Sequence, residues 1–159
     1  MKIGDIVKYA NYEWYVIKVG KRNITLLAKN DFGKHRFDTS YNTYDYETSE
    51  IRAYLNSTIL RSIKDAGGDP LPVDLSDVGV TDKVWLISRK EAKSLPSRVR
   101  ATGNWDWYWL RSPGCYIYNA SYVYNVGVYT YGYDIDNDSG NVRPAIRIKA
   151  EELSKDNKI

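Results

Sequence analysis

At 159 residues the chain is long enough for one domain with a sizeable buried core, and its length calls for no second. Hydrophobic (43%) and charged (27%) contents are those of a globular protein, but 15 Tyr and 5 Trp against 2 Phe make an aromatic set with polar tips, suited to half-buried sheet faces and to binding surfaces. A net charge of +3 is too small to argue for nucleic acid, the single cysteine, Cys115, excludes an intrachain disulfide and a cysteine-based zinc cluster, and no run approaches the ~20 apolar residues of a membrane span.

The first five residues, Met1-Lys2-Ile3-Gly4-Asp5, meet charges before any apolar run develops, so no signal peptide is expected and the chain is placed in the cytoplasm or on a virion assembled there. Residues 3–9 and 14–19 are β-rich runs around Ala10-Asn11-Tyr12-Glu13, which reads as a hairpin, and 24–28 reads as a third strand. Ile51, Tyr54, Leu55, Ile59 and Ile63 have helical spacing, with Thr48 or Ser49 as the cap and Gly67-Gly68 as the stop. Residues 69–82 carry two Pro, one Gly and four Asp without periodicity and read as a surface loop before a short strand at 83–87. Ser88 and Glu91 have capping-box spacing for a second short helix, which Leu95-Pro96 ends.

From Trp105 the pattern changes to short alternating runs: Tyr116-Ile117-Tyr118, Tyr122-Val123-Tyr124, and Tyr129, Tyr131 and Tyr133, with Gly127 and Gly132 between them. A period of two places Ile117 and Val123 toward a core and the flanking tyrosines on the other face of a short twisted sheet. Residues 112–142 contain no Lys or Arg but do contain Asp134, Asp136 and Asp138, so this face is mildly acidic and argues against phosphate-bearing partners. An apolar-alternating strand at 142–148 closes a single domain over 1–150, and a polar tail over 151–159 is expected to be frayed or weakly helical.

Trp109-Leu110-Arg111-Ser112-Pro113-Gly114, then Ala120, Val123, Gly127-Val128, and finally Val142-Arg143-Pro144-Ala145, follow an order that resembles a bacterial and phage family of the C-type-lectin-like fold. That family is related to the variable proteins of diversity-generating retroelements. Upstream, residues 46–56 look like the family's helix motif and 82–88 like its central strand. The resemblance implies an α+β fold with two short helices, a small, mostly antiparallel sheet, and first and last strands close together. It makes Trp109, Leu110, Pro113, Ala120, Val123, Val128, Val142 and Pro144 scaffold, with Arg111 and Arg143 as forks onto carbonyls or a carboxylate.

The same resemblance implies a non-enzymatic module that binds a protein or glycan target. Its variable surface would be Tyr116, Tyr118, Asn119, Ser121, Tyr122, Tyr124, Asn125, Tyr129, Tyr131, Tyr133, Asp134, Asp136, Asn137 and Asp138, with Tyr108 at the edge. This composition is that of a paratope, where Tyr gives area at low entropic cost and Asn, Ser and Asp adapt their hydrogen bonds. About a third of the tyrosines are expected to pack on a neighbouring strand instead. Retroelement rewriting of adenines in Asn-type codons cannot yield Lys, Glu, Gln, Met or Trp. Residues 112–142 contain none of the five, although Gln is absent from the whole chain and a short Tyr-rich sheet can lack the others unaided.

Other chemistries find less in the sequence. Counted from Asp134, an EF-hand needs Gly and Glu where Ser139 and Ala145 stand, so 134–140 reads as a polar turn with Asx-type bonding, and a looser calcium site is the other reading. The Glu-Pro-Asn and Trp-Asn-Asp triplets of calcium-dependent lectins are absent, and the oxidases that share this fold need two cysteines. His35, the one histidine, reads as a solvated loop residue. No cofactor is expected. The alternatives are an invariant structural module whose tyrosine face packs in an oligomer, and a hydrolase built on the aspartates.

Overall fold

The computed structural model describes residues 1–154 and 157–159. Strands β1 (Ile6–Tyr9) and β2 (Tyr12–Val19) pair antiparallel through Ala10 and Asn11, with φ of 51° and 66°. Two successive left-handed residues give the primed turn whose twist suits a hairpin, so Tyr12 and Glu13 belong to the strand and not to the connection expected at 10–13. Strand β3 (Asn23–Ala28) follows as expected.

One long helical run then lies against the core as α1 (Glu50–Tyr54), a π-helical turn (Leu55–Ile59) and α2 (Leu60–Asp65), with Ser49 as cap accepting the Arg52 N–H. The buried residues Ile51, Leu55, Ile59 and Ile63 recur every fourth position. On a 3.6-residue helix such a row drifts by about 40° per step, and the wider π turn in its middle reduces that drift.

Residues 69–82, expected as a loop, contain the hairpin of β4 (Val73–Leu75) and β5 (Val80–Asp82). Each strand is three residues long with its outer two buried, too short an alternation to register as period two. Conversely, 83–87 forms no strand. Its residues from Val84 to Ile87 are buried, but side chains take the backbone groups of Val84 and Leu86: Asn56 bonds Val84 N (3.1 Å) and O (2.9 Å), Tyr46 Oη accepts Leu86 N (3.3 Å), and Arg111 Nη1 donates to Leu86 O (2.8 Å). Trp85 exchanges backbone bonds with Ala145, and Ile87 O accepts from the Arg111 backbone N–H (3.0 Å).

Helix α3 (Arg89–Ser94) carries the expected capping box of Ser88 and Glu91. A further helix, α4 (Ser97–Arg100), starts on Pro96, which ends one helix and opens the next. Strands β6 (Trp107–Pro113), β7 (Asn119–Tyr124) and β8 (Gly127–Asp134) form a three-stranded antiparallel sheet. Strand β9 (Ala145–Lys149) joins the first sheet in the order β1-β2-β3-β9, so the first and last strands share a sheet but stand two strands apart. The architecture is α+β with mostly antiparallel sheets.

The tail is less frayed than expected. A 3-10 turn (Ala150–Glu152) places Glu152 to accept from Tyr9 Oη (2.8 Å), Lys158 bridges Val7, and Ile159 N donates to Ile6 O (2.9 Å). The part of that expectation concerning Lys155 and Asp156 lies outside the described residues. Among the described residues no helix is long and apolar enough to cross a membrane.

Candidate recognition face

Between the two sheets runs the segment that ends in Val142-Arg143-Pro144-Ala145. Asn141 exchanges backbone bonds with Trp107 and Trp109 of β6, Val142 with Phe32 and Gly33, Pro144 accepts from Ala28, and Ala145 pairs with Trp85 at the start of β9. The motif is therefore the seam that joins the sheets. Arg143 lies within this seam, and Arg111 of β6 fastens the neighbouring segments.

Arg111 reaches Asp77 through Nε and Nη2 (3.0 and 2.9 Å), Leu86 O through Nη1, and Glu91 through Nη1 (2.5 Å). Burial works against its charge, but Asp77 and Glu91 outweigh that and hold its pKa above the usual arginine value. Arg143 donates through Nε to Ala28 O (2.7 Å) and through Nη1 to Tyr108 Oη (3.1 Å) and Arg100 O (3.3 Å). Burial pushes its pKa down, opposed by the Tyr108 hydroxyl. Both side chains act as the forks that the sequence suggests.

On the outer face of the second sheet the aromatic side chains form a layered stack. Tyr122 of β7 lies between Tyr129 and Tyr133 of β8, with Trp107 edge-on at 5.3 Å and Tyr131 perpendicular at 6.3 Å. Trp107 also meets Trp109 edge-on, and Gly140 closes over both indoles, where a Cβ would stand 2.3 Å from Trp109 Nε1. Burial and its neighbours Tyr131 and Tyr133 push the Tyr122 hydroxyl pKa well up.

Ser121 sits at the centre of β7. Its flanking strands each set three residues against this one, since the register passes from Trp109↔Tyr122 to Pro113↔Ala120 on one side and from Tyr122↔Tyr129 to Ala120↔Tyr133 on the other. Its hydroxyl reaches the carbonyls of Pro113 (2.8 Å) and Thr130 (3.2 Å), one in each bulged strand. Bulges of this kind re-aim side chains. Gly132, at φ 86°, completes the β8 bulge.

The structure corrects the placement of several residues expected on the surface. Tyr108, Ser121, Tyr122 and Asn119 are buried. Tyr108 points into the core toward Arg143, because successive β6 residues face opposite sides and both sides of that strand are covered. Asn119 donates to Asp134 across the hairpin (2.7 Å), and Tyr122 is covered by its neighbours' rings. Asn125 is exposed but bound to a backbone role, at φ 56° in the β7–β8 turn, a conformation Asn tolerates better than most side chains.

Residues 116–118 form the β6–β7 turn instead of a strand, so Ile117, expected in the core, is 65% exposed, with Tyr116 and Tyr118 exposed beside it. Val123 is buried as expected, whereas Pro113 of the expected scaffold is exposed and Val128 half-buried. The open face therefore comprises Tyr124, Tyr131 and Tyr133, with Tyr129 half-buried among them, and Tyr116 and Tyr118 at one end.

Beside that end lies a shallow cleft of about 370 Å³ lined by Thr43, Tyr44, Pro113, Gly114, Cys115, Tyr116 and Ile117. Thr43 and Tyr44, in a polar stretch without periodicity, carried no signal of this role. Tyr44 Oη bonds Arg111 O, which ties the cleft wall to the arginine clamp.

The acidic turn has its own internal bonds. Asn137 N donates to Asp134 O (3.0 Å) and Ser139 N to Asn137 Oδ1 (2.9 Å), while Asp134, Asp136 and Asp138 are exposed and Asn137 half-buried. Among the described residues no group of three or more His, Cys, Asp or Glu is placed to hold a metal ion. His35, expected to be solvated, stacks on Tyr54 at 4.4 Å with Nδ1 2.6 Å from Arg36 O.

No curated protein and no solved structure gives a significant match to the chain. A family model described as a domain of unknown function, DUF6273, matches residues 22–150, and the chain belongs to that family.

Proposed function

We propose that the chain is a non-enzymatic target-recognition module of C-type-lectin-like type, binding a protein or glycan through its tyrosine face, with that face diversified by a retroelement. The observation that carries this reading is the division of labour within the stack. Tyr122 is 3% exposed and fills the layer beneath, whereas Tyr124 and Tyr131 are 50% and 52% exposed above it. Side chains in the upper layer can change without opening the core, and the buried layer, the Ser121 bulges and the two arginine clamps hold the backbone under them. Exposed tyrosines on a fixed sheet lose little entropy on binding, as in antibody paratopes.

Sequencing the DNA around the gene tests diversification: a near-copy of the 105–142 segment, differing only at adenines and lying beside a reverse transcriptase, is the expected result. Its absence would leave a static face. Binding is tested by presenting the wild-type protein and the triple variant Tyr118→Ala, Tyr124→Ala, Tyr131→Ala to arrays of glycans and of bacterial surface proteins. Loss of the wild-type signals with the melting temperature kept supports recognition. Equal signals from both proteins would sink it.

A second reading, self-association through the same face, draws on the exposed Ile117 and Val126 at its ends. Sedimentation distinguishes the two, since a stable oligomer that the triple variant dissolves leaves no free face.

A further inference from the structure

Away from the tyrosine face, the far side of Arg143 points to a second site. Its guanidinium is buried, has no carboxylate partner, and packs against the rings of Tyr108 (5.0 Å), Trp105 (5.2 Å) and Tyr15 (5.9 Å). Nε and Nη1 are committed to Ala28 O, Arg100 O and Tyr108 Oη, but Nη2 has no hydrogen-bond partner within the protein. A buried charge that lacks an opposite charge, and a buried donor that lacks an acceptor, are both costly.

Two of those three rings, Tyr15 and Trp105, also wall a cavity of about 200 Å³, lined further by Lys29, Asn30, Arg98 and Ala101. The carbonyls that hold Arg143 belong to the residues just before Lys29 and Ala101, so the guanidinium stands directly behind the cavity wall. Arg98 donates to Gly4 O and makes no ion pair among the described residues. Among the described residues the carboxylate paired with this group is Glu13, on Lys29 at 2.8 Å. Arg98, Arg143 and a half-neutralised Lys29 around two aromatic walls give the cavity a positive field.

We infer that this cavity binds a small oxyanion, a carboxylate or a phosphate, between Arg98 and Lys29 at the rim and the buried charge of Arg143 at the back. The aromatic walls exclude water and so strengthen the attraction, and an oxyanion that parts the two rings meets the uncommitted Nη2. This site is independent of the tyrosine face and of its proposed role.

The test is an NMR titration of the full chain, with sodium acetate and with inorganic phosphate separately, at ionic strength held constant with sodium chloride. Saturable shifts of the Trp105 indole and the Lys29, Asn30 and Arg98 amides are expected, with the Tyr124 and Tyr131 amides unmoved. Saturation by acetate assigns a carboxylate source, and saturation by phosphate alone assigns a phosphorylated one. Arg98→Ala should weaken binding roughly tenfold and Arg98→Lys much less, as for loss and retention of a charge at a partly desolvated ion pair. Shifts that stay linear, that chloride reproduces, or that spread evenly over the surface would overturn the site in the wild-type protein, whether or not the variants fold.

Discussion

The ring of Tyr122 lies 4.0 Å from that of Tyr133, centroid to centroid, with 5° between their planes, and Tyr129 stacks at 5.1 Å and 4° on the opposite side. Of the three, only Tyr122 is closed from solvent. Replacing it by alanine opens a cavity in the middle of the stack and should cost about 3 kcal/mol in urea unfolding. Tyr131→Ala, which removes an exposed ring, should cost under about 0.5 kcal/mol. Similar losses from both would mean that the whole face is core and not a surface.

Gly132 and Gly67 both sit at positive φ, 86° and 89°, but differ in what surrounds them. A Cβ on Gly132 would meet Ala120 O at 2.4 Å, while one on Gly67 would meet nothing within 4 Å. Gly67→Ala should therefore cost about 1 kcal/mol from backbone strain alone, and Gly132→Ala about 3 kcal/mol because the β7–β8 bulge must also shift. Thermal melts of the pair check the difference, and equal melting temperatures would remove the bulge from the account.

Asp82 is buried at the end of β5, and Arg52 meets it in a fork with Nε at 3.0 and 3.1 Å and Nη2 at 2.8 Å, tying α1 to the small hairpin. Asn56, one turn further on, holds Val84 from the same helix face. Asp82→Ala should cost about 2 kcal/mol, less than the loss of a partner from a fully buried pair because Arg52 keeps some solvent. Arg52→Ala alone should cost more than Arg52→Ala does in the Asp82→Ala background. A cycle with zero coupling would make the fork incidental.

Burial raises the pKa of Tyr9 to about 12, and it raises those of Tyr44, Tyr46, Tyr108 and Tyr122 as well. These phenols keep their protons in the folded state while the unfolded chain releases its own near the ordinary tyrosine value of 10.0, so each contributes stability that is whole below that pH. That stability is lost as pH climbs from about 10 toward 12. Denaturant midpoints should be level up to pH 9 and fall steeply above 10, with tyrosinate absorbance rising together with unfolding. A tyrosinate signal from all fifteen phenols before any loss of fold would contradict the buried set.

Much of this molecule is legible without coordinates. The β1–β2 hairpin, β3, the capped helices and the closing strand follow from local spacing, because their apolar period and their caps at Ser49 and Ser88 are properties of a few neighbouring residues. The same holds for the location of the aromatic face and its lack of basic residues, which are compositional. The direction in which each aromatic residue points was not readable. Period two assigns Tyr108 and Tyr122 to faces but cannot say that both faces of β6 are covered, or that Tyr122 has a ring on either side. The bulges around Ser121 change the register by residues that no local pattern marks. Residues 83–87 have strand composition, yet the backbone groups of Val84 and Leu86 go to side chains of Asn56, Tyr46 and Arg111, which lie far away in the chain. Local periodicity records what a residue prefers, whereas burial and hydrogen-bond partners depend on distant segments brought together only by the packed core, and that is where the tertiary structure decided which tyrosines build the face and which present it.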